Sequence, residues 1–229
     1  MSKETMSKET NIARRLLRME RAKPKIHTRE SGVTVVEGYA AVFYNADDPG
    51  TEYQLWTDTY ERIHPGAFDA AIAEDDVRGL TNHDPNWLLG RTRSKTLKLT
   101  ADEFGLKYEI TLPETNAGND TRAMLERGDM DGSSFAFLVY GGKRGRVEWT
   151  YEITDSREIE VRNVYDVELL DVGPVTFPAY ESTTSGLRAI ADTLAEARSS
   201  RDRWQREQQA DDEIESMNLD IELAEARLR

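Results

Sequence analysis

Asp131-Gly-Ser-Ser-Phe-Ala-Phe-Leu-Val-Tyr140 is the stretch whose pattern decides the fold class. A glycine turn leads into a run dominated by aromatic and aliphatic residues, which favour a pleated, half-buried strand. Successive strand side chains point to opposite faces. Phe135, Phe137 and Val139 therefore share one face, and Ser134, Ala136 and Leu138 share the other. With the aromatic face turned inward, Ser134 points outward. The same texture recurs in VTVVEGYAAVFY from Val33, GLKYEITL from Gly105, GRVEWTYEI from Gly145 and EIEVRNVYDVELLDVGPVTF from Glu158. Two intervening stretches read as helices. Pro65 to Ala73 begins with proline at a first-turn position. Asn119 to Gly128 opens on capping residues and closes on glycine. Gly141, Gly142 and Gly145, between two β runs, suggest a hairpin turn. Many strands with a few helices predict a mostly β, α+β chain, a small barrel or sandwich decorated by helices.

The chain divides into three parts. Residues 1–31 form a basic arm. It opens with the tandem MSKETMSKET, which reads as a duplicated start, and continues as NIARRLLRMERAKPK. Ile12, Leu16 and Met19 have helical spacing, so a short basic amphipathic helix is expected, either solvated or docked on an acidic partner. Residues 32–187 carry the β-rich domain. Residues 188–229 form a charged helical tail. Leu187, Ile190, Leu194, Ala197, Arg201 and Trp204 make one narrow stripe, and Ile214, Met217, Ile221, Ala224 and Leu228 make a second. Gln208 and Asp211 put the two stripes out of phase. The expectation is two helical pieces, or one helix with a stammer, which pair with a partner helix or otherwise fray.

Composition narrows the function. The 229 residues carry 43 acids against 30 bases, a net charge of −13, which disfavours duplex DNA as a partner. Cysteine is absent, which excludes disulfides, thiolate metal sites and a cysteine nucleophile. No apolar run approaches a membrane span, and none follows the N-terminus as a secretory signal would require. A soluble protein inside the cell is expected. Phosphate-binding glycine loops, the H-E-x-x-H zinc motif and the G-x-S-x-G elbow are all missing. The three histidines, His27, His64 and His83, lie on unlike segments, so neither a metal nor any other cofactor is expected. What remains is a serine and a histidine. A hydroxyl becomes a nucleophile near neutral pH when a base takes its proton and a third group orients that base. Ser134, at the start of its strand, and His83, in the polar loop Gly79-Leu-Thr-Asn-His-Asp-Pro-Asn-Trp87, are the candidates.

Five motifs in order carry a family resemblance. They are Glu37-Gly-Tyr-Ala-Ala-Val-Phe43; Glu61-Arg-Ile-His-Pro-Gly-Ala-Phe-Asp69; Leu80-Thr-Asn-His-Asp84 with Leu89-Gly-Arg-Thr92; Asp131-Gly-Ser-Ser-Phe-Ala-Phe137; and Leu169-Leu-Asp-Val-Gly-Pro-Val-Thr-Phe-Pro-Ala-Tyr180. Together they resemble the prohead maturation serine proteases of tailed phages, over about Gly32 to Leu187. The resemblance implies a serine endopeptidase inside the procapsid, in the host cytoplasm, that digests scaffolding segments of the capsid protein and then itself. It lays the base on His83 and the nucleophile on Ser134, with Ser133 second and His64 structural.

The family is similar in fold to the herpesvirus maturation proteases, which implies a small β-barrel of that type and a Ser-His-His triad. The second histidine of that triad falls on Asp166. Asp166 is therefore the expected third member, with Glu168 in reserve on the same face and Asp171 on the opposite one. Pro174 stands where the herpes enzymes use a backbone N–H for the oxyanion, so the donor must come from elsewhere, such as Val175 or Thr176. The implied partners are the major capsid protein with its scaffolding segment and a second copy of the chain, with no nucleic acid and no membrane. The competing reading is an inactive assembly factor that keeps the protease fold.

Overall fold

The computed structural model describes residues 13–17, 20–140, 142–154, 157–176 and 184–227. The tandem start and residues 228–229 lie outside them. Side chains are described neither before Arg21 nor for Leu187, Ile190, Leu194, Ile221 and Ala224.

The β-type runs fold as expected and arrange into three sheets. In chain order the strands are β1 (Ala13–Leu17), β2 (Lys25–Thr28), β3 (Thr34–Val42), β4 (Tyr53–Trp56), β5 (Thr59–Ile63), β6 (Arg78–Leu80), β7 (Leu88–Arg91), β8 (Leu97–Ala101), β9 (Gly105–Thr111), β10 (Gly132–Leu138), β11 (Arg146–Thr154), β12 (Arg157–Asp166) and β13 (Glu168–Val175). Helix α1 spans Asp69–Glu74, α2 Asn116–Arg127 and α3 Thr184–Arg227. The sheets run β1-β10-β13-β6-β7, β11-β12-β5-β4 and β2-β3-β9-β8. Each is an open row, so the described residues form a strand-dominated α+β fold and no closed barrel. The barrel expectation is corrected on this point.

One core joins the three sheets. Phe135 and Phe137 of β10 stack at 5.1 Å and sit with Tyr108, Ile110, Ile63, Phe68, Leu169 and Val172, all fully or almost fully buried. The aromatic face of β10 is thus the inner one. Helix α2 is capped at its start by Thr115, whose side chain accepts from the N–H of Gly118. It ends at Gly128, whose φ of 78° is the left-handed conformation glycine adopts without penalty.

Three local expectations change. Residues 13–17 form a strand paired with β10 rather than a helix, because the ladder offered by β10 outweighs a weak helical spacing. The Gly142–Gly145 segment makes no hairpin, since β10 and β11 lie in different sheets. The tail is one helix of 44 residues that runs through Gln208 and Asp211 without a break. Its lower part is bound to the domain. Ala197 and Ser200 are buried, and the Arg162 guanidinium on β12, fully enclosed, grips both oxygens of Glu196 at 2.8 and 2.9 Å and Glu61 on β5 at 2.8 Å. Farther along, Ile214 and Met217 are exposed.

Arg162→Ala would take away the buried cation that Glu61 and Glu196 share. Removing one partner of a buried ion network typically costs about 3–5 kcal/mol, and that loss is expected in urea unfolding of the full chain. A change within about 0.5 kcal/mol, the range of ordinary surface substitutions, would show that α3 is held by other contacts.

Candidate active site

Strands β10 and β13 pair antiparallel, with Ser134 opposite Gly173 and Ala136 opposite Asp171. Opposed residues share a face, so Ser134 and Asp171 project from the same side of the sheet, two residues apart along it. Next to β13 lies β6, parallel to it, and the chain leaving β6 turns over this face as the loop that carries His83. Gly173 lets that happen. A Cβ there would collide with the Leu80 carbonyl, so glycine allows the end of β6 to lie directly on β13.

The loop is held in an uncommon conformation. Asn82 and His83 have φ of 55° and 56°, the left-handed region that non-glycine residues rarely enter. Compensating bonds hold it there. The Asn82 N–H donates to the Pro174 carbonyl at 3.0 Å, and Asn82 Oδ1 accepts from the Thr176 N–H at 2.8 Å and the Thr176 hydroxyl at 2.9 Å. On the other side the buried Thr81 hydroxyl meets that of Thr121 on α2 at 2.8 Å.

These supports place the imidazole between the serine and the acid. His83 Nε2 lies 2.7 Å from Ser134 Oγ, and His83 Nδ1 lies 2.5 Å from Asp171 Oδ1. A carboxylate accepts the Nδ1 proton, which leaves Nε2 as the acceptor for the serine hydroxyl. Such a chain can activate an alcohol as a nucleophile and return the proton to a leaving group. All three side chains are mostly enclosed, with Asp171 only 12% exposed, which strengthens each polar contact.

Of the residues expected from sequence, His83 and Ser134 come together and Asp166 does not join them. Asp166 ends β12, in a different sheet. Glu168 starts β13 but is engaged elsewhere, accepting from the Lys143 N–H at 2.6 Å. The acid beside His83 is Asp171, and a β-bulge explains why strand alternation misplaced it. Leu169 is opposite Phe137, yet Asp171 is opposite Ala136, the next residue of β10, so Leu170 is an extra residue in the ladder. A bulge reverses the side-chain parity beyond it. Leu169 joins the core and Asp171 turns to the serine side.

Ser133 is a structural hydroxyl. It is fully buried on the inner face, bonded to the Tyr108 hydroxyl at 2.9 Å and directed at the Ala22 carbonyl at 3.4 Å. Burial pushes the Tyr108 hydroxyl pKa up, so it stays a neutral partner. His64 also lies apart, stacked on Tyr165 at 4.5 Å with Nε2 2.8 Å from Asn163 Oδ1. The Thr176 N–H, an expected oxyanion donor, is already committed to Asn82. No group of three metal-ligating side chains occurs among the described residues, and no described helix is long and apolar enough to cross a membrane.

Asn82 emerges as a positioning residue that sequence reading passed over, although it stands next to His83. Asn82→Ala removes the acceptor of the two Thr176 bonds and a side chain suited to the left-handed region. A displacement of His83 near 1 Å would cost about 10²-fold in rate. The expected result is that loss in kcat with KM nearly unchanged, and an equal loss in both would point to general unfolding.

The family model described as caudovirus prohead serine protease matches residues 22–197. Among solved structures, the capsid assembly protease gp21 of bacteriophage T4 is similar over 74% of this chain and 99% of that one, at 12% identity and a TM-score of 0.46. No curated protein matches.

Proposed function

This chain belongs to the caudovirus prohead serine proteases, and from that premise we propose that it is an endopeptidase of phage head maturation that uses Ser134, His83 and Asp171. The observation that supports this most directly is the unbroken contact chain from Ser134 Oγ through His83 to Asp171, with spacings of 2.7 and 2.5 Å. The mechanism follows from those contacts. His83 Nε2 takes the Ser134 proton as Oγ bonds to the scissile carbonyl carbon, and the carbonyl oxygen becomes an oxyanion. Asp171 keeps Nδ1 protonated and stabilises the imidazolium that forms. The intermediate collapses as His83 delivers its proton to the departing amine, which leaves an ester on Ser134. Water, deprotonated by His83, then attacks that ester, and the released alkoxide recovers the proton.

The substrates in this reading are scaffolding segments of the capsid protein and exposed parts of the chain itself, cut inside the procapsid in the host cytoplasm. Extended, exposed segments are what a protease cuts most readily. Self-association stays part of the proposal. The test is co-expression with the major capsid protein of the same phage, followed by the intact mass of both chains. Loss of a defined segment from the capsid protein is the expected result. A capsid protein that remains whole would favour the alternative, an assembly factor that keeps the fold without the activity.

A further inference from the structure

We propose that Asp75 is a positioning residue of the active site: its carboxylate, held by Arg144, fixes the Leu169 N–H beside the β13 bulge and so keeps Asp171 turned toward His83. The proposal rests on the protease reading above, and concerns how the acid of that site is set in place.

Asp171 reaches the serine side only because Leu170 is an extra residue between Leu169 and Asp171. A one-residue slip of β13 would restore a regular ladder there, and a slip of that size turns the side chains it moves to the other face. The bulge therefore needs the strand to be held on both sides of it. Beyond it, β6 pairs in parallel with Asp171 and Val172, and Gly173 packs under the Leu80 carbonyl. Before it, the ladder with β6 has already stopped, since β6 begins at Arg78, opposite Asp171. A side chain takes over at this point. The Leu169 N–H donates to Asp75 Oδ2 at 2.9 Å.

Asp75 is built to stay there. It is the residue on which α1 ends, and its own N–H bonds to the Ala71 carbonyl at 3.0 Å. Its carbonyl accepts from the Thr92 hydroxyl at 3.1 Å, and that hydroxyl accepts from the Val77 N–H at 2.9 Å. The Asp75 side chain is only 2% exposed, a costly place for a carboxylate unless it is paired. The pairing comes from Arg144, whose Nη1 donates to Asp75 Oδ1 at 2.7 Å while Nη2 donates to Glu74 Oε2 at 2.8 Å. The two oxygens of Asp75 are thus divided between a cation and the Leu169 N–H. Turning the carboxylate away from one loses the other, and charge-assisted bonds of this kind are the strong ones. Arg144 arrives on the segment between β10 and β11, which makes no hairpin. That segment therefore ties the strand of the nucleophile to the strand of the acid.

The test uses the full chain and single-turnover cleavage of the capsid protein. Asp75→Ala removes the acceptor of the Leu169 N–H and the anion beside Arg144. A displacement near 1 Å at a catalytic group costs about 10²-fold in rate, and that loss is expected in kcat with KM nearly unchanged. Asp75→Asn, whose amide oxygen can still accept the N–H, should recover about tenfold of it. A double-mutant cycle with Asp171→Asn separates positioning from general loosening. Once the Asp171 carboxylate is gone, moving it costs nothing more, so Asp75→Ala should lower the remaining rate by less than about threefold. A full loss in that background, or none in the parent, overturns the proposal.

Should Asp75→Ala fail to fold, Arg144→Gln enters the same cycle, with about a tenfold loss expected in the parent and none beside Asp171→Asn. The low-field proton resonance of His83 Nδ1–H bonded to Asp171 reads the geometry without any substrate. It is expected in the parent and lost in both Asp171→Asn and Asp75→Ala. Its persistence unchanged in Asp75→Ala overturns the proposal. A parent that shows the resonance, loses it in Asp75→Ala and leaves the capsid protein whole would overturn the protease reading and leave the positioning role standing.

Discussion

Ser134→Ala is expected to abolish both self-shortening and capsid-protein cleavage while the fold persists. Loss of the nucleophile in a serine protease costs about 10⁶-fold in kcat, which no day-long incubation would recover. The substitution removes one oxygen from a side chain that faces the site and leaves the aromatic core of β10 untouched. Thermal unfolding should therefore stay within a few degrees of the parent. Intact mass over a day, for parent and variant side by side, gives the readout. Loss of pieces from the parent alone identifies the nucleophile, and the new termini report which bonds are cut. Equal shortening of both would implicate a contaminant, since Ser133 is buried on the opposite face and bonded to Tyr108. Ser133→Ala provides the converse control. It should keep activity and lose stability, because it strands the buried Tyr108 hydroxyl, an unmet hydrogen bond worth about 1–3 kcal/mol.

Sequence and structure agree where a local pattern was enough. Alternation along Phe135, Phe137 and Ser134 separated the core face of β10 from the face where Ser134 meets His83. The stop of α2 at Gly128 was legible for the same reason, since it acts within one turn, whereas the cap is Thr115 and not the expected Asn119. What escaped was set by partners distant in sequence. Ala13–Leu17 has enough helical spacing to suggest a helix, and only the ladder offered by β10 makes it a strand. Arg162 on β12 is the buried cation that holds a helix through Glu196, 34 residues later. The acid of the site was lost to a single residue, Leu170, because the bulge there shows only as a mismatch between two strands. Asp166 was chosen by analogy with a histidine in another viral family, and it ends β12 in a different sheet.

That bulge makes the two acids separable by experiment. Asp171→Asn is expected to lower kcat by about 10⁴-fold, the loss seen when the orienting acid of a serine triad becomes its amide. The shape is conserved and the hydrogen bonding is reversed. Asp171 accepts the Nδ1 proton of His83 at 2.5 Å. An asparagine rotated to give its amide N–H to Nδ1 would move the imidazole proton to Nε2, which then donates toward Ser134 and cannot act as its base. Even with the amide oxygen toward the ring, the negative charge that stabilises the imidazolium is gone. Asp166→Asn should leave kcat within about twofold, because Asp166 ends β12 in another sheet and does not touch His83. Glu168→Gln should also spare the chemistry and loosen the turn whose Lys143 N–H it accepts. Single-turnover cleavage of the capsid protein by each variant discriminates the three. A large loss in Asp166→Asn with little in Asp171→Asn would overturn Asp171 as the orienting acid. The bulge would then be the feature to re-examine, since a one-residue slip there turns Asp171 away from the serine.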